Sequence, residues 1–125
     1  MEKTIHDFFV ENPDNVVAVY LYGSTSRGDA RPDSDVDVGV LLEVDPPATF
    51  AGLGLRLEGR LEKALGKSVD LVIMNRAPVD LIHRIFRDGK LVLDLQPSSR
   101  IAFEVLARNR FFDLEPVLKQ VRRTG

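Results

Sequence analysis

VVAVYLYGSTSRGDARPDSDVDVGVLL, residues 16–42, is the stretch whose reading decides the fold. Its first part, 16–22, is a continuous apolar run rich in β-branched and aromatic side chains, the pattern of a central strand covered on both faces. Gly23-Ser24 ends that run, and ten residues then lead to Asp35-Val36-Asp37. From there Val36, Val38 and Val40 alternate with Asp35, Asp37 and Gly39, a period of two that predicts a strand running on into Leu41-Leu42. Between the strands, Ser24 to Asp29 reads as one helical turn and Arg31-Pro32-Asp33-Ser34 as loop.

The alternation fixes chemistry as well as fold. Side chains at i and i+2 of a strand share a face, about 6.8 Å apart along it. Asp35 and Asp37 therefore point one way while Val36 and Val38 turn into the core. Two ionised carboxylates on one face repel, and a cation relieves the conflict. Mg²⁺ suits the pair because it takes hard oxygen ligands and keeps positions open for water and substrate phosphates. A third carboxylate, Asp70, sits within the apolar run SVDLVIM (68–74). If that run is a strand beside Asp35 and Asp37, Asp70 comes within reach of the same site, since neighbouring strands lie about 4.8 Å apart. Three carboxylates from two strands can hold two metals for an in-line displacement. Gly23 lets the backbone approach phosphate closely. The Ser24 hydroxyl and the amides that follow can donate to phosphate oxygens, and Arg27 can neutralise their charge.

Outside this stretch the chain reads as helices alternating with strands. Ile5, Phe8 and Phe9 predict a short first helix, with Thr4 as its cap and Asn12-Pro13 as its stop. Asp45-Pro46-Pro47 breaks the chain. Phe50, Leu53, Leu57, Leu61 and Leu65 then recur at helical spacing, and Gly66 follows as C-cap. The run 68–74 is a third strand. Pro78 opens a helix whose inner face is Leu81, Ile82, Ile85 and Phe86, ended by Asp88-Gly89. Leu91-Val92-Leu93 is a short peripheral strand. Ser98 caps a last helical region with Ile101, Val105 and Leu106 on one stripe, broken near Asp113 ahead of Pro116, with a final short helix from Leu114 to Arg122. Tyr20 and Tyr22 read as core residues of the first strand, with support of the nucleotide site by one of them as the alternative. Phe111, Phe112, Leu114, Val117, Leu118 and Val121 read as packing on the chain's own sheet, with a partner surface as the alternative. The order αβαβαβαβα predicts one α/β domain over 1–125, a small mixed sheet flanked by helices.

Composition narrows the function. The chain has 125 residues, 44% hydrophobic and 29% charged, enough for a core of ordinary size. It has no cysteine, which excludes disulfides, thiolate metal sites and cysteine nucleophiles and leads us to expect a cytoplasmic protein. No apolar run approaches a membrane span, and MEKTIHDFF carries no secretory apolar segment. A net charge of −2 argues against nucleic acid as a direct substrate.

The set Gly23, Ser24, Asp35, Asp37 and Asp70 resembles the signature of the nucleotidyltransferase superfamily that includes DNA polymerase beta. The phrase GSTSRGDARPDSDVDVGV resembles the form seen in minimal nucleotidyltransferases, with Arg27-Gly28 and Ser34-Asp35 in place, and the motif-bearing match covers residues 16–75. RNRFFDLEPVLKQ (108–120) looks like the tail of the MntA-type antitoxins. The resemblance implies a polymerase beta-like nucleotidyltransferase fold and transfer of a nucleotidyl group from ATP with Mg²⁺. Asp35, Asp37 and Asp70 would bind metal and act in catalysis, with Asp70 helping to deprotonate the attacking hydroxyl. Gly23, Ser24 and Arg27 would hold the nucleotide. Larger relatives that modify antibiotics or RNA carry additional acceptor-binding domains, and this chain has little left over for one. The comparison therefore favours a protein acceptor: a tyrosine of a cognate HEPN ribonuclease toxin, AMPylated within a hetero-oligomer. Two alternatives stay open, an aminoglycoside-like small-molecule adenylyltransferase and a non-catalytic antitoxin that only covers its toxin.

Overall fold

The run 16–22 forms strand β1 (Val16–Tyr22) in a computed structural model of the chain. The structure describes residues 1–13, 15–23, 34–43 and 51–124, with 51–55 and 114–124 described as backbone only. β1 is flanked on both sides, by β2 (Val36–Leu42) and by β4 (Lys90–Asp94), each antiparallel to it. Strand β3 (Val69–Ile73) adds to the far edge of β2 in parallel, giving the order β3-β2-β1-β4. A strand with neighbours on both edges and helices on both faces meets no water, which is why Val16 to Leu21 are all buried and all apolar apart from one tyrosine hydroxyl.

The two faces of the sheet divide along the period of two. Val36, Val38 and Val40 of β2, with Val69, Leu71 and Ile73 of β3, pack with Ile5 and Phe9 of α1 (Glu2–Glu11) and Leu61 of α2 (Ala51–Leu65). The opposite face, with Ala18, Tyr20 and Leu41, is covered by Ile82 and Ile85 of α3 (Val79–Asp88), Ala107 of α4 (Pro97–Thr124) and Met74. α2 ends at Gly66, whose φ of 68° is the left-handed cap expected there.

The edge strand β3 is pinned by side chains. Its Val69 and Leu71 amides donate to Glu62 (3.2 Å) and Glu58 (3.0 Å) of α2, one turn apart on that helix. Past the end of β3, the Asn75 amide group imitates a further strand residue: it accepts from the Leu42 N–H and donates to the Leu42 carbonyl, both at 2.8 Å. These bonds occupy backbone groups that an edge strand otherwise leaves open and hold β3, and hence Asp70, in place.

Several expectations are corrected. Thr4 lies inside α1; the helix starts at Glu2, whose carboxylate complements the first turn, and Met1 caps it without a side-chain bond. Pro78 is the N-cap of α3, so the helix proper begins at Val79. Ser98 is likewise internal, because Pro97 already occupies the first helical position. α4 runs unbroken through Asp113 and Pro116 to Thr124; the proline removes one N–H from the helix ladder without ending it. Ile101, Val105 and Leu106 face outward at 49%, 48% and 48% exposure, as does Phe112 at 56%. The helix is rotated so that Phe103, Glu104 and Ala107 face the sheet. A polar contact sets that phase: the Tyr20 hydroxyl donates to Glu104 at 2.7 Å, and Arg100 bridges Glu104 and Asp94 at 3.0 Å each. Phe111 stacks on His83 with ring centroids 3.7 Å apart. The expected turn at Ser24 to Asp29, the loop residues 31–33, the break at Asp45-Pro46-Pro47, Phe50 and the side chains of Leu114, Val117, Leu118 and Val121 lie outside what is described. Among the described residues no helix is long and apolar enough to cross a membrane.

Tyr20→Phe leaves a half-buried carboxylate without its hydroxyl donor. We expect it to lower stability by about 2 kcal/mol, as for a hydrogen bond to a charged group. Urea denaturation checks this, and an unchanged midpoint would show that the contact does not hold α4.

Candidate active site

Register brings the chemistry together. Asp37 is the Cα partner of Tyr22 on β1 and of Asp70 on β3, so the three residues form one row across three strands. All three belong to the face opposite α1 and α2, since their β2 and β3 neighbours Val36, Val38, Val69 and Leu71 point into that other layer. The parallel pairing puts the Asp37 and Asp70 backbones about 4.8 Å apart.

The row opens onto a cleft of about 380 Å³. Its walls are Tyr22 and Gly23 from the end of β1, Asp37 from β2, Asp70 and Val72 from β3, and Leu81, Arg84 and Asp88 from α3. Asp70 is exposed and Asp37 half-buried. Asp35 stands one residue ahead of β2, exposed, and outside that lining. The structure therefore unites Asp37, Asp70 and Gly23, with Asp35 two residues from Asp37 at the strand entrance. Ser24 and Arg27 lie outside the described residues. A second hollow, about 360 Å³ between α3 and α4, has one carboxylate, Glu104, already bonded to Tyr20 and Arg100. Paired acid chemistry belongs to the first cleft.

Gly23 is required here for two reasons. Its φ of 71° is left-handed, and a Cβ at this position would overlap the Asp37 carboxylate, lying 3.1 Å from Asp37 Cγ. The sequence suggests a glycine that admits phosphate; the structure adds that it makes room for a carboxylate.

Among the described residues no three His, Cys, Asp or Glu side chains are gathered tightly enough to enclose a metal ion. Asp37 and Asp70 are nevertheless a donor set that fits Mg²⁺. They are hard oxygen ligands on adjacent strands, beside open space, and Mg²⁺ is commonly bound through one or two carboxylates plus substrate phosphates.

Tyr22, read from sequence as core, belongs to the cleft. Burial pushes its hydroxyl up to about 12, the Asp37 and Asp70 carboxylates push the same way, and Arg84 opposes them. Near neutral pH it is a protonated donor beside two carboxylates. Arg84 and Asp88 were also missed. Their signal is helical phase: Leu81, Arg84 and Asp88 recur at three and four residues and so share one flank of α3.

The family model for polymerase beta, nucleotidyltransferase matches residues 3–98. The chain belongs to this family. Among curated proteins it is similar to the protein adenylyltransferase MntA of Shewanella oneidensis, 28% identical over 102 residues that span 80% of this chain and 70% of that one. Among solved structures, a toxin–antitoxin crystal structure with AMP-PNP matches with a TM-score of 0.75 at 22% identity, covering 97% of this chain and 98% of the other. A complex of tri-AMPylated Shewanella oneidensis HEPN toxin with MNT antitoxin matches with a TM-score of 0.68 at 21% identity, covering 97% and 95%. These structures share the nucleotidyltransferase fold with this chain.

The Tyr22 environment gives a readout independent of activity. Because its folded pKa lies above 10.0, the folded state holds this proton more tightly than the unfolded chain. The resulting stability is complete below pH 10 and is lost as pH rises through about 12. In alkaline absorbance titration at about 295 nm we expect a phenolate step near 12 that Tyr22→Phe removes. Asp37→Asn should move that step down, since it deletes one of the charges opposing ionisation. A Tyr22 step near pH 10, or one indifferent to Asp37→Asn, would contradict this geometry.

Proposed function

We propose that the chain is a Mg²⁺-dependent adenylyltransferase that moves AMP from ATP to a tyrosine hydroxyl of a cognate HEPN-type toxin, and that it acts thereby as an antitoxin. The observation that carries the reading is the in-register pair Asp37–Asp70 at the mouth of a cleft closed on one side by Gly23. Support for the acceptor comes from the relatives. The similar curated protein is named a protein adenylyltransferase, and a similar structure contains an AMPylated HEPN toxin.

The residues divide the work. Asp37 and Asp70, with Asp35 at the entrance, would hold the metal, which when bound neutralises phosphate charge and polarises the phosphoryl group under attack. Gly23, with Ser24 and Arg27 following it, would hold the trailing phosphates. Asp70, exposed at the open end of the row, would accept the proton of the incoming hydroxyl. The hydroxyl oxygen bonds to the α-phosphorus, the bond from that phosphorus to the bridging oxygen breaks, and pyrophosphate leaves. Catalysis of this kind is chiefly positioning and charge stabilisation, which a rigid sheet edge supplies. A cysteine-free chain suits the reducing cytoplasm in which such a pair would meet.

Intact-mass spectrometry of the purified partner, after incubation with ATP and Mg²⁺, tests this. We expect a mass gain of one or more AMP units on a tyrosine, stopped by EDTA and restored by Mg²⁺. Asp37→Asn and Asp70→Asn should each reduce incorporation by about 100-fold or more while the fold is retained. A partner that binds but gains no mass, or transfer that persists in EDTA, would overturn the reading.

A further inference from the structure

Arg84 is unused by the mechanism above, yet it is the single cation among the described residues lining the cleft. It projects from α3 into a space that already holds the carboxylates of Asp37, Asp70 and Asp88. Despite that company, it makes no hydrogen bond or ion pair with any described residue. Its neighbour Arg87 behaves differently and pairs with Asp88 through two bonds of 2.9 and 3.0 Å. Arg100 is held by Asp94 and Glu104. A guanidinium lining a cleft beside carboxylates presents N–H donors to an anionic ligand that enters it. It would also repel a metal ion bound alone between Asp37 and Asp70. A ligand that brings both a cation and several anionic oxygens removes this conflict, and a metal–polyphosphate does so. The planar fork of arginine matches phosphate oxygens two at a time.

The position along the cleft narrows the assignment. The transferred phosphoryl must lie at the carboxylate pair. Arg84 stands on α3, and its charge acts on Tyr22, the residue before Gly23 at the end of β1, so it faces the part of the nucleotide that trails away from the pair. We propose that Arg84 is a phosphate-binding residue that grips the non-transferred phosphates of ATP from the α3 wall and steadies the pyrophosphate as it leaves. This rests on the nucleotidyltransferase reading and deepens it by adding a residue to the nucleotide site. The signal was present in sequence only as helical phase, because nothing local says which flank of α3 meets the sheet edge.

Calorimetric titration of the full chain with MgATP, magnesium pyrophosphate and AMP, for wild type, Arg84→Ala and Arg84→Lys, tests it. Arg84 is exposed, so both variants should keep the wild-type melting temperature. We expect Arg84→Ala to weaken MgATP and pyrophosphate by about tenfold or more and to leave AMP within about twofold. Arg84→Lys should recover part of the loss, since it restores charge without the fork. Equal weakening of AMP and ATP would mark Arg84 as merely structural and overturn the proposal, as would an unchanged affinity for ATP. Wild type that binds no MgATP at all would remove the nucleotidyltransferase reading itself, and this proposal with it. ATP binding that is intact in wild type and indifferent to Arg84→Ala would remove only the role given to Arg84.

Discussion

The parallel pairing of β3 against β2 sets Asp37 beside Asp70, and the rest of the molecule can be understood as what keeps that register. Two carboxylates on adjacent strands repel each other, so the pairing gains nothing locally from them. It is enforced from the other face, where Val36, Val38 and Val40 of β2 and Val69, Leu71 and Ile73 of β3 share one apolar layer with α1 and α2. A slip of one residue would turn every one of these side chains outward and drive a carboxylate into that layer. Glu58 and Glu62 add a second restraint from α2 by engaging the free edge of β3. The register of the acidic row is thus enforced from the opposite face and from the edge of β3.

The sheet consequently has one structural face and one working face. α1 and α2 seal the first. On the second, α3 lies between the cleft and the packing of α4, sending Leu81, Arg84 and Asp88 to one side and Phe86 toward Phe103 and Tyr20 on the other. The two tyrosines of β1 illustrate the division. Tyr20 is raised in pKa by burial and by Glu104, and it fastens α4. Tyr22, two residues on along the same face, is raised by burial and then by Asp37 and Asp70, and it belongs to the site. One side-chain type at one period serves packing in one place and chemistry in the next, according to which charges surround it.

The cleft carries charge of both signs. Three carboxylates and one guanidinium line the same space, and one of the carboxylates, Asp88, also pairs with Arg87. A ligand that carries both signs complements such a distribution.

The order of residues in 16–42 was enough to identify β1 and β2 and to set Asp37 on the face opposite Val36 and Val38, because a period of two is written locally in side-chain type. It was also enough to mark Gly23 as special and to find α2, β3 and α3 to within a residue or two. Other features could not be read there, since they depend on which elements meet. The partnership of Asp70 with Asp37 is a register between strands more than thirty residues apart. Tyr22 became a site residue only when strand order gave it two acidic neighbours. Arg84 entered the cleft through the way α3 lies on the sheet. The phase of α4 ran against its own apolar stripe, because Tyr20 and Arg100 bind Glu104 and turn Ile101, Val105 and Leu106 outward. Local periodicity says which side chains share a face; long-range packing says what that face will touch.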